Sequence, residues 1–178
     1  MRVLVLNGSA RKEGGTAAMA AAFARGAREA GHAVDVLDIA RLNIHGCLGC
    51  EYCHTRGGGT CVQRDDMDEV YPLWDAADVI VIASPIYYGS FSGQMHCLVH
   101  RTYAGDVPKS CKAMALLLCS GATGVYEAAE RIYHGFMQGY YRVKDLGVIE
   151  ATTGEALSGD MAVRLEELGR SLSQRMGQ

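Results

Sequence analysis

The stretch "VLVLNGSARKEGGTA", residues 3–17, decides the fold. Four apolar residues run without a polar break and stop at Asn7-Gly8-Ser9, which reads as a buried strand. The chain then enters "TAAMAAAFARGAREAG" (16–31), an alanine-rich run with Thr16 placed to N-cap it and Gly31 placed to end it. That run reads as a helix. A strand that passes through a glycine-rich loop straight into a helix is the first half of a β-α-β unit.

The same alternation continues outward. "AVDVLDI" (33–39) reads as a second strand. "DDMDEVYPLWDAA" (65–77) reads as a helix whose acidic start suits the positive end of the helix dipole, and Pro72 is expected to kink or shorten it. "DVIVIAS" (78–84) is a continuous β-branched run, the pattern of a central parallel strand covered on both faces. A helix over 92–103, a strand over 113–121, a helix over 124–138 and a fifth strand over 141–150 follow. From about Gly159 the tail has helical spacing at Met161, Leu165, Leu168 and Leu172. Strands alternating with helices imply an α/β fold, a parallel sheet between two helical layers. Five strands fit the flavodoxin-like order 2-1-3-4-5. Residues 1–178 read as one domain, because repeats, low-complexity tracts and linkers are absent from the sequence.

Composition narrows the partners. The formal net charge is −3 and no Lys/Arg stripe occurs, which argues against nucleic acid or an anionic membrane surface. No apolar run approaches a membrane span, and the opening apolar run is too short for a signal peptide, so the expected location is the cytoplasm. In that compartment seven cysteines point to metal binding or redox chemistry rather than to a disulfide framework.

Ligands of a doubly wound sheet sit outside the carboxyl ends of the strands. In the first loop Ser9 and Thr16 offer hydroxyls and Arg11 a charged fork. Gly14 and Gly15 allow close backbone approach, and the following helix start adds free N–H groups, so the loop reads as an anion site. It matches neither G-x-G-x-x-G nor the P-loop pattern, which disfavours a Rossmann NAD site and nucleotide hydrolysis. The plainer alternative is a glycine-rich turn with an exposed Arg. In "SPIYYGSFSG" (84–93) the Ser-Pro step is expected to leave the sheet abruptly. Ile86, Tyr87 and Tyr88 then present a surface for a flat ring, with Gly89 allowing close approach and "SGATG" (120–124) closing the other side. The competing reading puts both tyrosines in the core or a dimer interface.

"GSARKEGGTA", "DDM", "SPIYYGSFSGQM" with Arg101, and "LGRSL" together resemble the NADPH-dependent FMN reductase family over nearly the whole chain. The resemblance implies non-covalent FMN, its phosphate held by Ser9, Arg11, Thr16 and the Ala17 amide. It implies an isoalloxazine along Pro85, Ile86, Tyr87, Tyr88 and Gly89 and against Ser120, Gly121 and Gly124. It also implies a homodimer or homotetramer in which a neighbour completes the flavin pocket. Two departures stand out: Gly15 where the family often has Asn, and His96 and His100 where Lys and Asp are usual.

"CLGCEYCHTRGGGTC" (47–61) spaces its cysteines C-x2-C-x2-C-x7-C. One tight loop can bring Cys47, Cys50 and Cys53 to three corners of a cubane, with Gly57-Gly58-Gly59 wrapping Cys61 back as the fourth ligand. The four-cysteine insert is similar to the iron–sulfur flavoprotein branch of the family, which implies a [4Fe–4S] cluster. An empty or partly oxidised loop, and zinc with His45 or His54 as substitute ligands, stay open beside it. Cys97, Cys111 and Cys119 read as structural, and His96 and His100 as helix-surface residues. The expected function is electron transfer through FMN, coupled to the cluster. NAD(P)H as a transient donor or a ferredoxin would supply electrons, and a small acceptor such as a quinone would take them; no acid–base residue is assigned. A cluster-free NAD(P)H-dependent FMN or quinone reductase, a non-enzymatic flavin binder and a zinc-stabilised partner-binding module are the alternatives.

Overall fold

The computed structural model describes residues 1–177. Strand β1 (Arg2–Asn7) pairs in parallel with β2 (Ala33–Asp38) on one side and with β3 (Val79–Tyr87) on the other. Beyond β3 and its short neighbour β4 (Ser90–Phe91) come β5 (Ala113–Ser120) and β6 (Lys144–Thr152). The parallel order is β2-β1-β3-β5-β6, which is the expected 2-1-3-4-5 winding. The addition is β4, which turns back antiparallel onto the end of β3.

The unbroken apolar runs are explained by burial on both faces. Val3, Val5, Val79, Val81, Ala115 and Leu117 point to one helical layer, and Leu4, Leu6, Ile80, Ile82, Leu116 and Leu118 to the other. The first layer holds α1 (Gly15–Glu29) and, further along the chain, α8 (Gly159–Arg170). Their backbones touch. A Cβ on Gly26 would lie 2.0 Å from the Glu166 carbonyl oxygen, and one on Gly169 would lie 2.4 Å from that of Phe23. The expected apolar stripe of the tail, Met161, Leu165, Leu168 and Leu172, is buried against this layer, the last from α9 (Leu172–Arg175).

The second layer holds α3 (Met67–Ala76), α4 (Gly93–Arg101) and α5 (Glu127–Tyr133). Helix α3 runs through Pro72 rather than stopping there, burying Met67, Val70 and Trp74. Helix α4 starts at an N-cap Ser92 whose hydroxyl accepts from the Met95 amide at 3.3 Å. The run after α5 does not stay α-helical as expected. It widens into a π-helical turn, His134–Gln138, and closes with α6 (Gly139–Tyr141).

Two local expectations are corrected. Helix α1 is capped by Gly14, with no side-chain cap, and Thr16 lies inside the helix, buried. Strand β3 does not break at Ser84-Pro85 but continues to Tyr87, with Pro85 in register with Cys119 of β5. The extended geometry that proline imposes on its predecessor is strand geometry. Pairing with β1 has already ended at Ala83, so one edge of the strand is free where the missing N–H falls.

Candidate functional site

The carboxyl ends of β1, β3, β5 and β6 open on one side of the sheet. The loop after β1 is folded on itself. The Ser9 hydroxyl accepts from the Arg11 amide and donates to the Arg11 carbonyl, both at 3.2 Å, and the Ser9 amide donates to Asn7 Oδ1 at 3.1 Å. The Gly8 amide donates to the Ala83 carbonyl at 2.8 Å, and Ser92 Oγ donates to the Gly8 carbonyl at 3.0 Å, tying this loop to the end of β3. The uncapped start of α1 leaves its first amides directed into the loop. Arg11 is exposed and makes no ion pair among the described residues.

A cleft of about 280 Å³ joins three of the loops. Ser9, Arg11, Gly14, Gly15 and Thr16 line it from the first, Pro85, Ile86 and Tyr87 from the second, and Ser120 and Gly121 from the third. Ten of the residues expected from sequence therefore meet in one place. Four do not line it: Ala17, Tyr88, Gly89 and Gly124. Ala17 faces the neighbouring groove between α1 and β2. Tyr88 stands fully exposed with φ 50° at the two-residue turn between β3 and β4. That placement corrects the reading of Tyr88 as a core residue, since none of the described residues covers it. Tyr87 is 53% exposed at the cleft wall.

Cys119 and Thr153 complete the wall, and both were missed. Thr153 opens α7 (Thr153–Ala156) beyond the last strand, and its hydroxyl donates to the Ser120 carbonyl at 3.3 Å. The signal that could have found it is the capping box Thr152-x-x-Glu155, which marks a helix start at the same end of the sheet. Cys119, read as structural, is indeed buried, yet its sulfur forms part of this cleft and burial raises its pKa. It also explains Gly15: a Cβ there would lie 2.6 Å from Cys119 Sγ and 2.8 Å from Ala156 Cβ.

The cysteine segment is stitched at its base. Arg101, fully buried, donates from Nη1 to Asp65 Oδ2 at 2.6 Å and to the His45 carbonyl at 3.1 Å. The His45 amide also reaches Asp65 Oδ2, and the Asn43 amide reaches Asp66 Oδ2 at 2.7 Å. Within the loop a single helical turn, α2 (Tyr52–Thr55), carries Cys53. The glycine run wraps back as expected, with the Gly59 amide donating to the Cys53 carbonyl at 2.9 Å. Tyr103 clamps the outside, its hydroxyl donating to the Glu51 carboxylate at 3.1 Å.

Cys47 and Cys50 are exposed, Cys53 and Cys61 are half-buried, and all four thiols are free. The Gly49 amide donates to Cys47 Sγ at 3.4 Å. The donor chemistry suits a cluster, but among the described residues no three His, Cys, Asp or Glu side chains are gathered as one ligand set. His45 and His54, the substitute zinc ligands, are engaged with Asp65 and the Tyr103 carbonyl. His96 is not a free surface residue: its Nε2 is 2.8 Å from Ser90 Oγ, and its ring packs on Phe91.

The family model for NADPH-dependent FMN reductase matches residues 1–151. An iron–sulfur flavoprotein of Archaeoglobus fulgidus is 36% identical over 101 residues, 57% of this chain and 45% of that protein. An iron–sulfur flavoprotein of Methanocaldococcus jannaschii is 33% identical over 141 residues, 76% of this chain and 70% of that one. The first match thus spans less than half of its relative's length. The solved structure of an NAD(P)H:quinone oxidoreductase from Methanothermobacter marburgensis superposes with a TM-score of 0.74 at 20% identity, covering 97% of this chain and 96% of that one.

Proposed function

The chain belongs to the NADPH-dependent FMN reductase family, and we propose that it acts as one FMN-binding domain of the iron–sulfur flavoprotein kind. The observation that carries the flavin assignment is the meeting of three strand-end loops in one cleft, lined also by Arg11, which makes no ion pair among the described residues. Arg11, the Ser9–Thr16 backbone and the start of α1 hold the phosphate. Pro85, Ile86 and Tyr87 offer the ring an apolar ledge, and Ser120 and Gly121 close over it. Ala17, Tyr88, Gly89 and Gly124 do not line the cleft, so their share in binding is smaller.

Cys47, Cys50, Cys53 and Cys61 would hold a [4Fe–4S] cluster, a reading supported by their spacing, their free thiols and the names of the relatives. When bound, FMN takes electrons singly or in pairs and a cluster takes them singly. The chain's own residues bind and orient; none is assigned proton transfer. NAD(P)H or a ferredoxin is the donor and a quinone-like small molecule the acceptor, in a homodimer or homotetramer. Seven unpaired cysteines suit the reducing cytoplasm. A second reading, a cluster-free NAD(P)H-dependent FMN or quinone reductase, is favoured by the ungathered thiols.

Titration of flavin-free protein with FMN tests the first assignment. Arg11→Ala removes a charge-assisted contact, so FMN affinity should fall by about 10- to 100-fold. FMN bound as tightly by Arg11→Ala as by the unmodified chain overturns the phosphate assignment.

A further inference from the structure

A larger and more apolar cleft, of about 470 Å³, lies away from the flavin residues, between the cysteine loop, α4 and the π-helical turn. Its walls are aromatic: Tyr103 on one side, Phe136, Tyr140 and Tyr141 on the other. Phe136 is 71% and Tyr140 58% exposed, so both rings present open surface to the cleft. The widened turn that carries Phe136 is a rare feature found frequently at functional sites. Volume and aromatic walls match those of small-molecule sites.

The polar atoms on these walls narrow the ligand. Tyr140 donates to Asp106 Oδ1 at 3.1 Å, Tyr103 to Glu51, and the Thr102 hydroxyl to the Val99 carbonyl at 2.8 Å. Among the described residues no Lys or Arg lines the cleft, so none of them compensates a phosphate there. The exposed imidazole of His100 is available to a neutral acceptor, and Cys47 forms part of the rim. We propose that this cleft is a second small-molecule site, taking an uncharged planar ring that bears carbonyl groups, of the quinone class, with His100 donating to a carbonyl. The choice of a quinone rests on the oxidoreductase reading; the cleft and its aromatic walls do not. A ring held here lies beside the cysteine loop rather than on the flavin face.

The chain's single tryptophan reports on this cleft, because Trp74 packs edge-on to Tyr141 with ring centres 6.2 Å apart. The probe is 2,3-dimethyl-1,4-naphthoquinone, whose blocked ring carbons cannot add the loop's thiols. It is titrated into FMN-saturated protein, following Trp74 fluorescence. The expected result is saturable quenching, weakened at least tenfold by Phe136→Ser or Tyr140→Ser and unchanged by Tyr87→Ser in the flavin cleft. Phe136→Leu, which keeps apolar bulk without the ring, separates lost stacking from lost folding; it should fall between the two. Quenching that does not saturate, or that Tyr87→Ser weakens while Phe136→Ser and Phe136→Leu leave it intact, overturns the proposal. The titration also reads out on flavin-free protein, so failure of FMN binding and failure of this site are told apart.

Discussion

Arg101 Nη1 and Asp65 Oδ2 meet at 2.6 Å with both side chains sealed from solvent, and this one contact fastens α4 to the far end of the cysteine loop. Among the described residues Nε and Nη2 of Arg101 are buried without partners, and Asp65 is the one carboxylate paired with that charge. Asp65→Asn leaves the guanidinium buried and uncompensated, and should cost about 3–5 kcal/mol. Urea unfolding checks it; a loss under about 0.5 kcal/mol, the level of an ordinary surface change, would contradict it.

The same pair sets an acid limit. Burial pushes the Asp65 carboxyl up, but the bond from Arg101 and the His45 and Met67 amides more than offset it, leaving its pKa at about 2 against an ordinary 3.8. The folded pKa lies below the unfolded one, so the stabilisation is present above about pH 4 and is lost as pH falls toward 2. Its size is on the order of 2 kcal/mol. Unfolding free energies measured from pH 5 down to pH 2 should fall in that window, and Asp65→Asn should flatten the decline.

Glu150 behaves in the opposite sense. A hydrogen bond shared with Glu130, then burial, then repulsion between the two carboxyls raise its pKa from 4.5 to about 7. A carboxyl held protonated in the folded state stabilises fully below about pH 4.5 and loses that contribution as pH rises through 7. Glu150→Gln should therefore melt higher than the unmodified chain at pH 8 and show little difference at pH 5. Equal melting temperatures at pH 8 would remove the shared proton from the account.

Gly15 should resist any side chain. Gly15→Ala places a methyl against Cys119 Sγ and Ala156 Cβ, at 2.6 and 2.8 Å, and is expected to cost about 1–3 kcal/mol and to weaken FMN binding. Cys119→Ala in the same chain removes the nearer of the two contacts and should restore part of the stability. Full tolerance of Gly15→Ala would mean that α7 yields freely.

The layer architecture was legible because burial on both faces of the sheet writes continuous apolar runs into β1, β3 and β5. What failed were local readings that tertiary context reversed. Pro85 looked like a break, yet it extends β3 where β1 has already ended. Thr16 looked like the cap of α1, yet Gly14 takes that place and Thr16 lies buried inside the helix. Most of the lining of the strand-end cleft was legible from sequence, because its parts are the loops that follow successive strands. Thr153 and Cys119 escaped because they reach it from a later strand end and from a strand interior. Asp65 and Arg101 were both noted as parts of a resemblance, but a pairing across 36 residues is not written in local spacing.

The most direct test is chemical composition. Iron, acid-labile sulfide, zinc and flavin per chain should be measured on protein purified without oxygen, for the unmodified chain and for Cys50→Ser. The account predicts about four irons and four sulfides beside one flavin, with Cys50→Ser losing iron while keeping flavin. Flavin without iron, or stoichiometric zinc in its place, would contradict it and leave the loop of residues 47–61 without a cluster.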